Sequence, residues 1–331
     1  MRVPLLRCLL VGLLLAGGAG AEEPTAAQQT LAEAANGDAT NQFLIGFAFD
    51  TGEGRAQDYQ EAAKWYRLAA DQGHGAARLF LGFLYLSGKG VPKDEREAAK
   101  WYRLAAEQGV PMAQSQLGHC YAYGWGVVQD DHEAVKWYRL AAENGEGDGQ
   151  YSLGSAYSNG KGVPEDDREA VKWYRLAADQ GNASAQLAVG AMYFDGDGVP
   201  KDNREAVKWY LLAGEQGVAE AQTNLGNMYS RGAGVPQDYK EASKWYKLAA
   251  DQGETKALYI LGLLHLLGQG VPKDDAEAYI DFSLAAALGD EDSVADRDGQ
   301  AAKLTPVALA AAQAEAKRRF AKFSANQVGP P

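Results

Sequence analysis

Trp65, Trp101, Trp137, Trp173, Trp209 and Trp245 follow one another at intervals of 36 residues. A second column keeps the same period: Gly46, Gly82, Gly118, Gly154, Gly190, Gly226 and Gly262. A fixed period of this length means one supersecondary unit copied in tandem, each copy burying its apolar face only against its neighbours. The chain therefore grows one core lengthwise, although its 331 residues would suffice for two average globular domains. Seven copies run from about Asn36 to Gly289, the last carrying Asp281 where the others carry Trp.

The second copy shows how the unit folds. Helix A is expected over roughly Ala76 to Ser87. Gly88 and Gly90 stop it, and Val91-Pro92 keeps it from resuming. Helix B begins after Asp94. Every copy carries D-x-x-E at this point: Asp58/Glu61, Asp94/Glu97, Asp130/Glu133, Asp166/Glu169, Asp202/Glu205, Asp238/Glu241 and Asp274/Glu277. An Asp N-cap with Glu three residues on has the spacing of a capping box. Ala98, Trp101, Tyr102 and Ala105 then recur at i, i+3, i+4 and i+7, an apolar stripe that places the Trp column in the core. Gln108-Gly109 ends the helix. A glycine inside helix A costs about 1 kcal/mol of helix propensity, so its recurrence predicts close approach of the neighbouring helix.

The ends differ from the repeats. Residues 1–21 read as a secretory signal: Arg2 and Arg7, the apolar run Leu9 to Leu15, then Ala19-Gly20-Ala21. The run is short for a membrane span, although an uncleaved anchor is the alternative. Cleavage would leave Cys120 as the sole cysteine, so an internal disulfide is excluded and the protein is expected to be periplasmic or secreted. Cys120 shares a column with Leu84, Met192 and Met228 and is expected to be buried. Residues 22–35 form a lead-in. Residues 290–325 are expected to make capping helices, with Thr305-Pro306 starting the second, and 326–331 form a tail.

Charge narrows the partners. The chain carries a net −12, and loss of Arg2 and Arg7 would leave 30 basic residues against 44 acidic ones. Such a protein is a poor candidate for nucleic acid or anionic membranes. The expected partners are proteins, with no cofactor and no metal. His119 lacks companions at metal-ligand spacing, and no nucleophile motif, P-loop or H-E-x-x-H is present.

The unit A-Q-x-x-L-G-x-x-Y-x-x-G-x-G-V-P-x-D-x-x-E-A-x-K-W-Y-R-L-A-A-x-Q-G resembles the Sel1-like repeat, a relative of the tetratricopeptide repeat. The resemblance covers about three quarters of the chain. It implies an all-α, right-handed αα-solenoid with a concave groove, acting as an interaction scaffold or adaptor, an envelope regulator or a host-interaction factor. A cysteine-rich subgroup linked to β-lactam binding carries paired cysteines that this chain lacks. That makes a related hydrolase a remote alternative; self-assembly into a structural solenoid is another.

Comparing copies suggests where a partner binds. Three helix A columns vary most, and their +3 and +7 spacing puts them on one face. Gln116, His119, Tyr123, Asn159, Asp195, Asn227 and Arg231 are the candidate polar contacts; Phe47, Phe83 and Leu263 are the candidate apolar anchors. The other reading is a plain solvent-facing side. A second candidate is a basic row on helix B, Lys64/Arg67 through Lys244/Lys247. There the capping-box Glu lies three residues before each Lys, at ion-pair spacing. Trp125, alone in a G-W-G loop, is a candidate exposed aromatic.

Overall fold

The structure, a computed structural model, describes residue 34 and residues 36–327, with side chains to residue 323. The proposed signal, nearly all of the lead-in and residues 328–331 of the tail lie outside the described residues. Sixteen helices and no strand occur among the described residues. They fall into two compact units that divide between Glu165 and Asp166. The first holds α1 (Ala39–Thr51), α2 (Tyr59–Asp71), α3 (Gly75–Ser87), α4 (Glu95–Ala106), α5 (Pro111–Tyr123), α6 (Asp131–Glu143) and α7 (Gly147–Asn159). The second holds α8 (Asp167–Asp179), α9 (Ala183–Asp195), α10 (Asn203–Glu215), α11 (Ala219–Arg231), α12 (Tyr239–Ala250), α13 (Thr255–Leu267), α14 (Asp275–Ala287), α15 (Asp292–Ala301) and α16 (Pro306–Gln327). Odd-numbered helices through α13 are A helices and even-numbered ones through α14 are B helices.

Each B helix starts on its Asp, whose side chain accepts from the second and third helical N–H groups, as Asp94 does from Arg96 and Glu97. The reciprocal half of the expected capping box does not form. The Asp94 N–H already donates to the Tyr85 carbonyl of helix A at 2.9 Å, and Asp58, Asp130, Asp202, Asp238 and Asp274 repeat the arrangement. The Glu is thereby released to pair with the Lys one turn on.

The helix A glycine does answer a steric need. A Cβ at Gly82 would stand 2.5 Å from Cε1 of Tyr102, a ring that is fully buried. Tyr66, Tyr138, Tyr210, Tyr246 and Phe282 crowd their own helix A glycines in the same way. The hairpin core is therefore a ring pressed on bare helix backbone. The Trp column lies less deep than the sequence reading placed it. Trp101 is 5% exposed and joins the cluster of α2 and α3, while Trp65, Trp137, Trp173, Trp209 and Trp245 are half-buried. Trp101, Trp137 and Trp245 pack on the core of the preceding repeat, whereas the next residue points into its own hairpin.

Polar side chains stitch successive repeats. Buried Gln114 and Gln150 donate to the carbonyls of Ala106 and Ala142 in the first unit, and Gln186 and Gln222 to Ala178 and Gly214 in the second. The Gln114 carbonyl then accepts from Asn144, and those of Gln186 and Gln222 from Gln216 and Gln252. These bonds satisfy the orphan carbonyls at B-helix ends, which gives the A-Q and Q-G columns a physical cause. At the C-terminal end α16 lies against α14, and Ala312 and Ala316 are buried in the cluster that also holds Tyr246, Leu258 and Leu284.

Candidate partner-binding face

The three variable columns descend from half-buried to exposed. Every helix A ends at a left-handed Gly, such as Gly88 with φ 71°, so the third column sits one residue before a sharp stop and points clear of the packing. Thr51, Ser87, Tyr123 and Asn159 in the first unit, and Asp195, Arg231 and Leu267 in the second, are exposed. The first two columns are half-buried apart from Ser152, which is buried.

In the first unit the apolar candidates belong to an aromatic string. Phe47 meets Phe80 edge-on at 5.8 Å, Phe80 meets Phe83 at 6.0 Å, and Phe83 meets Tyr102 at 5.6 Å. Phe47 and Phe83 pack against the hairpin cores and offer only part of their rings outward. Gln116 is likewise half-buried. His119 Nδ1 and the Tyr138 hydroxyl lie 2.9 Å apart, and burial holds the imidazole below its ordinary pKa. Tyr123 is 63% exposed, with its ring stacked on Trp125 at 4.9 Å and on His119 at 6.1 Å. Trp125 itself is half-buried. Asn159 donates to the Ser155 carbonyl at 2.8 Å.

In the second unit Asn227 accepts from the buried Tyr246 hydroxyl at 2.8 Å, so its side chain supports the core. Asp195 and Arg231 are exposed at the third column and Leu263 is half-buried beneath it. The variable face thus has two layers. His119 and Asn227 hold up tyrosines; Tyr123, Asn159, Asp195 and Arg231 stand free enough to meet a partner.

The helix B cations are engaged. Lys64, Lys100, Lys136, Lys172, Lys208 and Lys244 pair with Glu61, Glu97, Glu133, Glu169, Glu205 and Glu241. In the first unit Arg67, Arg103 and Arg139 donate to the hydroxyls of Tyr85, Tyr121 and Tyr157 in the next repeat. Among the described residues no His, Cys, Asp and Glu cluster could hold a metal, and no helix is long and apolar enough to cross a membrane. Cys120 is buried, its thiol pushed up to about 12 by desolvation.

One titratable pair was not anticipated. His265 Nδ1 donates to Asp281 Oδ2 at 2.8 Å, with Asp281 only 3% exposed. The sequence signal was present, since Asp281 breaks the Trp column and His265 the Tyr column, but their meeting depends on packing.

Comparison with known proteins agrees with the repeat. A family model described as Sel1 repeat matches seven times, at residues 42–74, 75–110, 111–146, 147–182, 183–218, 219–254 and 255–290. No curated protein matches the chain. Among solved structures, c5321, a protective antigen present in uropathogenic Escherichia coli strains, is 33% identical. The alignment covers 89% of this chain and 71% of that one, with a TM-score of 0.65. A Sel1 repeat protein from Oxalobacter formigenes is 34% identical over 74% of this chain and 96% of its own, with a TM-score of 0.66. With seven matched repeats in sequence and the paired helices that such repeats require, the chain belongs to the Sel1 repeat family and has its all-α solenoid fold.

Proposed function

We propose that this chain is an exported interaction scaffold that binds a protein partner through the exposed layer of its helix A face. The observation that carries the reading is the contrast between layers. One set of columns is fixed by buried rings and glutamine bonds, while the exposed third column changes chemistry from Ser87 onward, through Tyr123, Asn159, Asp195 and Arg231 to Leu267. Side chains released from packing are where recognition is free to vary. The stacked Tyr123–Trp125 pair supplies an aromatic anchor of the kind enriched at interfaces. The amino-terminal signal motif supports export, and no residue in this reading has a catalytic role.

The test is capture of partners from the envelope fraction of the source organism, using residues 22–331 as bait. A second bait carries Tyr123→Ala, Asn159→Ala, Asp195→Ala and Arg231→Ala. His119 and Asn227 are left intact, because their loss would unseat Tyr138 and Tyr246. A partner held by the first bait and lost by the folded second one supports the reading. Capture of the same partner by both moves the binding surface elsewhere.

Self-assembly has one observation in its favour. Leu68 and Leu140 in the first unit, and Leu176, Leu212 and Leu248 in the second, each keep between 42% and 49% of their surface exposed. A concentration-dependent mass in light scattering, abolished by Leu→Ser changes in this row, would favour it.

A further inference from the structure

The seventh repeat replaces a whole contact set. Where the first two repeats meet, Arg67 lies 5.6 Å from the ring centres of both Tyr85 and Trp101. The residues five periods on are Lys247, His265 and Asp281. A phenol and an indole have become an imidazole and a carboxylate, bonded at 2.8 Å. Asp281 is far smaller than Trp, and the space beside it is a cavity of about 730 Å³. Helix α16 walls its other side, placing Arg318, Arg319 and Lys322 on the rim. The floor is apolar, made by Leu258, Leu261 and Leu284. This volume lies in the range of small-molecule sites, roughly 300 to 1,000 Å³, and an apolar floor with a few convergent polar groups is their usual build.

The charges around the cavity select the sign of its occupant. Each carboxylate there already has a cation. Asp281 has His265, Glu315 has Arg318 and Arg319, Glu277 has Arg319, and Asp251 has Lys247. Of the five Lys and Arg in the lining, Lys244 is held by Glu241 outside it, so the cations open to a ligand are Lys322 and Lys247, whose pair with Asp251 is long at 3.4 Å and exposed. With Nδ1 committed to Asp281, the other ring nitrogen of His265 is the one left to a ligand. Asp281 sets the orientation of the imidazole and favours its charged form. Lys322, Lys247 and the imidazole of His265 are therefore the groups that can meet an anion, and they stand over apolar ground.

We propose that this cavity binds a small amphiphilic organic anion, a ring-sized apolar body bearing a carboxylate or sulfonate. The body takes the volume that Trp fills in other repeats. The anionic group meets Lys247, Lys322 and the free nitrogen of His265. The site is independent of the helix A face, so failure of either reading leaves the other standing.

The probe is 8-anilinonaphthalene-1-sulfonate, titrated against the full chain by fluorescence and calorimetry, with neutral N-phenyl-1-naphthylamine as its uncharged counterpart. The expected result is one saturable site per chain and binding of the neutral probe about tenfold weaker, the size of one charge-assisted hydrogen bond. Asp281→Trp refills the slot and is expected to weaken the anionic probe at least about tenfold. Lys247→Glu with Lys322→Glu leaves the slot open and reverses its rim, so it should weaken only the anionic probe. These two side chains are outside the core, and the double variant decides the matter if Asp281→Trp does not fold. Equal binding of the two probes, or an anionic affinity unmoved by the charge reversal, overturns the proposal.

Discussion

The second glycine of each G-x-G turn should be the least replaceable residue in the repeat, and Gly90 is the place to test it. Its φ is +69°, a region that costs an L residue about 1–2 kcal/mol. A methyl there would stand 2.7 Å from the Gln60 N and closer still to the Tyr59 carbonyl. Both belong to the first turn of α2 in the preceding repeat, and both are backbone, so no rotamer change relieves the clash. Overpacking of this kind costs about 1–3 kcal/mol. Gly90→Ala is therefore expected to lose about 2–5 kcal/mol in all. Gly109 provides the control. Its φ is +82°, yet a methyl there would meet nothing within 4 Å. Gly109→Ala should lose only the conformational part, about 1–2 kcal/mol. The assay is urea unfolding followed by far-UV circular dichroism on the two variants and the parent chain. If Gly109→Ala costs as much as Gly90→Ala, the inter-repeat contact contributes nothing and the steric argument fails. The same contact recurs at Gly126, Gly162, Gly198, Gly234 and Gly270, so any of these positions repeats the experiment.

Further outcomes follow from particular contacts. Asp94→Ala should cost about 1 kcal/mol by uncapping α4, whereas Glu97→Ala should cost a few tenths, because Glu97 pairs only with exposed Lys100; equal losses would mean that the Glu does close a capping box. His265 and His119 should titrate on opposite sides of 6.5, since Asp281 raises the first and burial lowers the second. The raised His265 contributes stability that is present below pH 6.5 and lost as pH climbs through its folded value; His119 contributes stability that is lost as pH falls below 6.5. Imidazole NMR titration reads both midpoints, and the reverse order would refute the assignment. Tyr121→Phe should cost about 1–3 kcal/mol by removing the acceptor of Arg103, seen as a lower urea midpoint.

Much of this protein was legible without coordinates, because the information is local. An Asp N-cap binds N–H groups two and three residues on, and a left-handed Gly ends a helix within one residue of its own position. The period, the helix limits near Gly75–Ser87 and Glu95–Ala106, and the family all rest on such short-range rules. Tertiary packing decided the rest, through contacts that join residues far apart in the chain. The Tyr102 ring lies on Gly82, the Gly90 turn lies on Tyr59, and Arg103 reaches Tyr121. Packing of this kind also set the Asp94 N–H on the Tyr85 carbonyl and so freed Glu97, sank two of the three variable columns, and gave His119 and Asn227 to buried tyrosines. It brought Asp281 to His265, 16 residues away, where a gap in a tryptophan column became a charged cavity. Periodicity tells which residues share a column; only the distance between neighbouring backbones tells how deep that column lies and what it touches.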